Sequence, residues 1–365
     1  MYKYPVYQPS LSGNEKKYIN ECLDSSWISS KGEFINEFEK KFAQFIGVKN
    51  AVCVTNGTVA IHLALETLGI KKGDEVIVPT FTYIASVNPI VTAGAKPVFI
   101  DSLKDTWQLD PRDLERKITA KTKAVIAVHL YGMMCDMDAV MKIAKKHNLY
   151  VIEDCAEAVG SRYKGRHAGA FGDIATFSFF GNKTITCGEG GMVVSNNDAL
   201  AKRAAKLKGQ GLAGTKEYWH DEAGYNYRMT NIAAAIGLAQ LEQADKFIAK
   251  KREIAGWYKD FLKDLPVTFH DGAPHVFHSY WMCSFLAESE EERAKLRQYL
   301  KQEGIETRPA FYPVHTMPMY YKKGRGFEMA EDIGLRGINL PSYPALNKKD
   351  VQNICGVIRK FYESR

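Results

Sequence analysis

A lysine, an aspartate and a glycine-led turn stand at the ends of apolar runs in this chain, and each offers chemistry. Lys183 lies in Gly181-Asn182-Lys183-Thr184, between the apolar stretch 174–180 and the cluster Gly188-Glu189-Gly190-Gly191. Desolvation and nearby cations weaken a lysine's hold on its proton and make the amine a nucleophile toward carbonyls. Asp154 ends the run 149–153. A carboxylate there needs a partner, and a protonated ring nitrogen is one that would satisfy it. Asn56-Gly57-Thr58 follows the run 51–54 and opens a helical pattern. Free N–H groups and the helix dipole suit a phosphate at that place. Gly57 permits close approach, the Thr58 hydroxyl can donate, and Ser178 can share the same phosphate. Tyr83, in Thr80-Phe81-Thr82-Tyr83, can lie against a planar ring.

Each signal also has a plainer reading. Asn56 or Thr58 can simply cap a helix, and Asp154 can cap one or join a structural ion pair. Tyr83 can be core packing, and most lysines are solvated surface charges. The combination and its order in the chain are more specific: phosphate turn, aromatic platform, carboxylate, lysine. Those are the parts that a pyridoxal 5′-phosphate (PLP) site needs. A nicotinamide oxidoreductase is disfavoured, because no Gly-x-Gly-x-x-Gly fingerprint follows the first apolar run.

The elements that must position these residues are legible as alternating patterns. Phe34, Phe38, Phe42 and Phe45 share one helix face. The stretches 51–54, 75–83, 96–101, 123–132, 149–155, 174–180 and 191–196 read as strands. A helical pattern separates 123–132 from 149–155, and a long helix is predicted over roughly 231–259. Apolar strands alternating with helices give an α/β fold, its large domain built on a mostly parallel mixed sheet flanked by helices. Ligands bind beyond the carboxyl ends of such strands. Residues 1–245 are assigned to the N-terminal segment and the large domain, whose body starts near residue 48. Residues 246–365 are assigned to a smaller α+β domain, against which the N-terminal segment is expected to pack.

Composition sets outer bounds. With 365 residues, 45% hydrophobic and 25% charged, the chain can bury sizeable cores without staples. Seven cysteines without a Cys-x-x-Cys pair read as reduced buried thiols, not as a disulfide framework, and no metal site is expected. A net charge of +7 fits a mildly basic surface or a positive pocket for phosphorylated ligands. Without a dense Lys/Arg block, nucleic-acid binding is disfavoured. The N-terminus has no signal-peptide core, and no apolar run is long enough to cross a membrane. A soluble cytoplasmic protein is expected, with no membrane partner.

The segments TNGTVAIHLAL, VPTFTYIAS, VIEDCAEAVG, FSFFGNKTITCGEGGMV and YNYRMTNIAAAIGLAQL resemble the DegT-type sugar-nucleotide aminotransferases of the fold type I PLP enzymes. The resemblance runs from Pro9 to the last helix. It implies that Lys183 holds PLP covalently and shuttles protons, that Asp154 pairs with the ring nitrogen, and that Tyr83 stacks on the ring. It implies phosphate contacts from Gly57, Thr58 and Ser178. Asn226 would reach the phosphate in a neighbouring subunit, so a homodimer with shared active sites follows. Glu157 stands where many members carry glutamine or histidine, near the ring oxygen, with its protonation open. Trp27 and Ser29 lie where members approach substrate, and Arg308, Tyr312 and His315 offer charge and hydrogen bonds from the smaller domain. The implied amino donor is L-glutamate, leaving as 2-oxoglutarate, and the acceptor is a nucleotide-linked keto sugar. The runs YWHD, FHSYW, RPAFYPVHTMPMY and RGINLPSYP are similar to the branch acting on GDP-4-dehydro-6-deoxy-D-mannose, for O-antigen or other surface polysaccharide. Other acceptors stay open (UDP- or dTDP-linked sugars, or a keto-octulosonate), as does a non-catalytic PLP-binding regulatory protein. Sugar dehydratases similar to this family carry histidine at the lysine position, so Lys183 argues against that reaction.

Overall fold

Apolar runs of four to seven residues become strands when both of their faces are covered, and the main sheet is built this way. The computed structural model describes residues 2–270, 275–321 and 326–364. The main sheet contains β1 (Asn50–Val54), β2 (Glu75–Pro79), β3 (Lys96–Ile100), β4 (Thr122–Val128), β5 (Tyr150–Asp154), β6 (Ile174–Ser178) and β7 (Gly191–Ser195). Their order is β1-β7-β6-β5-β4-β2-β3. The pairs among β2 to β6 are parallel, while β7 runs antiparallel to both of its neighbours. Helices such as Gly57–Thr67 and Met137–His147 connect the parallel strands, and the main-sheet core lies in two parts, one on each side of the sheet.

Two strands are shorter than their apolar runs predict. β2 stops at Pro79 and β4 at Val128, and the 3-10 turns Ile84–Ser86 and Leu130–Gly132 follow. The residues beyond each strand turn away from the ladder and line its carboxyl edge. Tyr131 takes a φ of 59°, a left-handed conformation that the surrounding packing must hold.

The single helix expected over 231–259 is two, Asn231–Leu241 and Ala244–Leu262. The first is buried almost all round, and the second buries one stripe. A helix surrounded by protein and a helix lying on a surface follow different axes, so the chain turns at Glu242 and Gln243. The longer helix spans both cores. Phe247 and Ile248 join the main-sheet core, whereas Ile254, Tyr258 and Leu262 join a second one.

That second core lies against an antiparallel sheet of Thr268–Phe269, Cys283–Leu286, Gly337–Leu340 and Arg308–Pro309. Tyr4 also belongs to it and bridges to Ile305, so the chain's beginning packs beside its end. Ala310, Val314, Phe327, Ala330 and Ile333 pack back into the main-sheet core. All seven cysteines are buried free thiols. Among the described residues no helix is long and apolar enough to cross a membrane.

Candidate active site

Strand register brings the first group together. Val54 of β1, Gly191 of β7 and Ser178 of β6 are neighbours across three strands. The helix Gly57–Thr67 starts directly over them. A Cβ on Gly57 would lie 2.6 Å from the Cβ of Ser178 and 3.0 Å from its Oγ, and one on Gly191 would lie 2.5 Å from the Asn56 carbonyl oxygen. Glycine at both positions lets the helix start approach the strand ends. The Asn56 side chain caps the helix, accepting from the Val59 N–H at 3.0 Å. Capping therefore falls to Asn56, and Thr58 stays exposed. The remaining helix N–H groups, the exposed hydroxyl and Ser178 form a cradle suited to an anion.

Asp154 ends β5 opposite Val128 of β4 and is buried. Its Oδ2 accepts from the Ser86 hydroxyl at 2.7 Å, and its Oδ1 accepts from the Ala156 N–H at 3.1 Å. The Thr82 hydroxyl lies 2.9 Å from that of Ser86 and extends the chain of support. The carboxylate is thus fixed in orientation, with acceptor capacity left over and no ion pair among the described residues.

Lys183 projects from the turn after β6 and its side chain is only 13% exposed. Its amine donates to Glu157 Oε1 at 3.3 Å and lies 4.0 Å from the centre of the Trp281 ring. The other Glu157 oxygen accepts from the Tyr131 N–H at 2.8 Å. Burial pushes the Glu157 carboxyl above the usual range, the Lys183 amine and the Tyr131 N–H pull it back, and Asp154 pushes it up again. Both carboxyls are buried, and the largely covered amine faces Glu157. The Tyr7 hydroxyl donates to the Lys183 carbonyl, and the Trp281 indole N–H donates to the Asn182 carbonyl at 2.7 Å.

Around this centre, Tyr83 is 56% exposed and its ring lies 5.5 Å from that of Phe311. Asn226 is exposed, and its amide oxygen accepts from the Arg228 guanidinium at 3.3 Å. The flanking Tyr225 and Tyr227 stack at 4.9 Å and both lie edge-on to His62. The Thr55 N–H donates to the Tyr227 carbonyl at 2.9 Å, which anchors this segment beside the cradle.

The residues expected to meet substrate are not gathered into this cluster. Trp27 and Ser29 are exposed, and Asn231 holds their carbonyls with its side-chain amide at 2.7 Å and its backbone N–H at 2.6 Å. Tyr312 is exposed, and the exposed Arg308 pairs with Glu306 at 2.7 Å. His315 differs most from expectation. It is buried, with Nδ1 2.7 Å from the Thr80 hydroxyl and Nε2 2.9 Å from Glu331. Val314 docks its N–H on the Thr80 carbonyl at 2.8 Å, which carries the neighbouring ring inward and occupies both nitrogens. Conversely, the motifs did not single out Ser86, Tyr131, Tyr7 or Trp281. Ser86 lies in a quoted motif, but nothing local marks its reach to Asp154.

The DegT/DnrJ/EryC1/StrS aminotransferase family model matches residues 9–359. The GDP-perosamine synthase of Escherichia coli O157:H7 is 61% identical over 361 residues, covering 99% of both chains. The GDP-perosamine synthase of Vibrio cholerae is 52% identical over 362 residues, covering 98% of this chain and 99% of its own. Among solved structures, Spr1654 from Streptococcus pneumoniae in its PLP-form superposes with a TM-score of 0.94 at 29% identity, covering 100% of this chain and 99% of that one. The chain belongs to the DegT/DnrJ/EryC1/StrS aminotransferase family.

Proposed function

We propose that this chain uses PLP to move an amino group from L-glutamate to GDP-4-dehydro-6-deoxy-D-mannose, giving 2-oxoglutarate and GDP-4-amino-4,6-dideoxy-D-mannose (GDP-perosamine). The carrying observation is the largely covered Lys183 amine, which faces the buried Glu157, three residues from the buried Asp154. The donor set fits the cofactor at three points. The cradle that a Gly57 Cβ would fill suits a phosphate, Asp154 suits a protonated ring nitrogen, and Lys183 suits an aldehyde carbon. Two relatives named for GDP-perosamine synthesis, matching almost end to end, support the acceptor.

PLP, when bound, supplies an electron sink that acidifies the α-proton of an amino acid. Lys183 would hold the cofactor and, once displaced by the donor amine, carry the proton as general base and then general acid. Asp154 would keep the ring nitrogen protonated, its orientation fixed by Ser86 and Ala156. Gly57, Thr58 and Ser178 would hold the phosphate, Tyr83 would lie along the ring, and Glu157 would sit by the ring oxygen. Asn226 would serve the cradle of a second copy, which makes a homodimer the working unit. Trp27, Ser29, Arg308 and Tyr312 would line the approach for the sugar nucleotide. Amine release to the acceptor retraces the donor half, so kinetics should be ping-pong. This reading puts the enzyme in the cytoplasm and its product in O-antigen or other surface-polysaccharide synthesis.

The test combines a spectrum with a product. PLP-loaded protein should show a visible absorbance band that L-glutamate bleaches and that Lys183→Ala lacks. Product identity from a panel of GDP-, UDP- and dTDP-linked keto sugars, read by mass and NMR, then fixes the acceptor. A band that glutamate leaves intact rejects transamination. Turnover with UDP- or dTDP-linked sugars alone rejects the GDP-linked acceptor.

A further inference from the structure

We propose that Trp281 is a positioning residue for Lys183: it holds the unbonded amine against Glu157 and ties that grip to the antiparallel sheet of the second core. The proposal rests on the reading of Lys183 as the lysine that holds the cofactor.

The contacts form a closed circuit. The Trp281 N–H donates to the Tyr131 carbonyl at 3.0 Å, and the Tyr131 N–H donates to Glu157 Oε2 at 2.8 Å. Glu157 Oε1 accepts from Lys183 Nζ at 3.3 Å, and that nitrogen lies 4.0 Å from the centre of the Trp281 ring. The indole N–H then reaches the Asn182 carbonyl at 2.7 Å. One side chain therefore holds the peptide that precedes Lys183 and also caps the amine at the end of it. A buried indole N–H needs an acceptor in any role, so the contact that goes beyond core filling is the ring face over the amine.

The support behind the indole is tight. Trp281 is buried and lies nearly parallel to Tyr131, at 6.0 Å and 13°, and to Phe311, at 6.3 Å and 17°. A Cβ on Gly132, whose φ is 93°, would fall 2.7 Å from Ser279 Oγ and 3.0 Å from the Tyr280 N–H. The 279–281 segment is thus pressed against 131–132 and continues directly into the strand Cys283–Leu286. An indole fixed in this way cannot turn aside when the amine is released. Its face lies against the amine and leaves the chain few directions in which to swing.

The test uses cofactor-free protein, trinitrobenzenesulfonate at pH 8, and peptide mass spectrometry of the labelled lysines. Trp281→Leu removes the ring face and the indole N–H, whereas Trp281→Phe keeps a face and loses the N–H. Labelling of Lys183 should be about tenfold faster in the leucine variant and about threefold faster in the phenylalanine variant, the scale set by a partly desolvated cation–π contact. The buried Lys251 serves as an internal control and should label at the wild-type rate in both. In PLP-loaded protein, the deuterium isotope effect on the glutamate half-reaction, read with α-deuterated glutamate, should increase in the leucine variant. Lys183 labelling within twofold of wild type overturns the proposal, as does a parallel rise at Lys251, which would mean general loosening. If the leucine variant does not fold, an unchanged rate in the phenylalanine variant overturns it alone. Borohydride reduction of PLP-loaded wild type separates the two levels: failure to fix PLP on Lys183 rejects the functional reading and this proposal with it.

Discussion

Gly57→Ala isolates the anion cradle from the rest of the site. The added methyl would start 2.6 Å from the Ser178 Cβ and 3.3 Å from its Cα, where carbon atoms normally stay about 3.5 Å apart or more. The helix start must therefore withdraw by nearly an ångström, or Ser178 must turn away. Overpacking of this kind costs about 1–3 kcal/mol of stability. A shift of that size also breaks at least one hydrogen bond to a charged phosphate, worth about 1.5–3 kcal/mol. At about 1.4 kcal/mol per tenfold, the apparent Kd for PLP should rise roughly 10- to 150-fold. The assay is a titration of cofactor-free protein with PLP, followed by the visible band. Ser178→Gly supplies the decisive comparison, because it removes the Cβ that the new methyl meets. Alone it should lose the hydroxyl contact and weaken binding over a similar range. Combined with Gly57→Ala it should cost little more than it costs alone, since the two defects share one cause. A Gly57→Ala protein that binds PLP within twofold of wild type, or a double variant whose losses simply add, would refute the cradle.

Two further outcomes follow from buried groups away from the cofactor. Lys251 is buried with its amine donating to the Ser342 carbonyl at 2.6 Å, and burial lowers its pKa to about 7 from an unfolded value of 10.5. The unfolded chain therefore binds more protons between those values, so this group lowers stability fully below about pH 7 and releases the penalty as pH rises toward 10.5. Lys251→Met should gain on wild type by up to about 4 kcal/mol between pH 10 and pH 7, at about 1.36 kcal/mol per pKa unit, and a gap independent of pH in denaturant unfolding would contradict this. His315→Ala should cost about 2–4 kcal/mol of stability, from a cavity and broken hydrogen bonds, while the acceptor KM stays within twofold. An acceptor KM that rises at unchanged stability would return His315 to the sugar site.

What the sequence made legible follows a physical division. Lys183, Asp154 and Gly57 each stand at the end of an apolar strand, and parallel packing forces such ends to one edge. Their convergence is therefore readable from local pattern. The support for them is not. Ser86 meets Asp154 across 68 residues, and Trp281 reaches the Asn182 carbonyl across 99. The first depends on the order of strands within one sheet and the second on how two separately built sheets meet, and no short spacing encodes either. His315 shows the same limit from the other side. Its neighbours Arg308 and Tyr312 are exposed, but Thr80, 235 residues away, draws its ring inward. The break at Glu242 escaped the periodic pattern because apolar spacing continues through it while the surroundings of the helix change.

The charges in the cluster give a reason, independent of motif order, for a cationic ring beside Asp154. Two carboxyl groups, Asp154 and Glu157, are buried three residues apart, and the charge of Asp154 helps push the Glu157 carboxyl above the usual range. Lys183 is the cation in contact, and it faces Glu157. Asp154 has a hydroxyl and an N–H, which orient an anion without neutralising it. A buried carboxylate left in that condition is destabilising unless a ligand brings positive charge. A protonated ring nitrogen supplies that charge, and a neutral ring would not. The imbalance should thus favour the ring in its protonated form, the form in which it draws electrons from the amino acid most strongly. An Asp154→Asn side chain would keep the shape and lose that bias, so the same geometry would persist with a weaker electron sink.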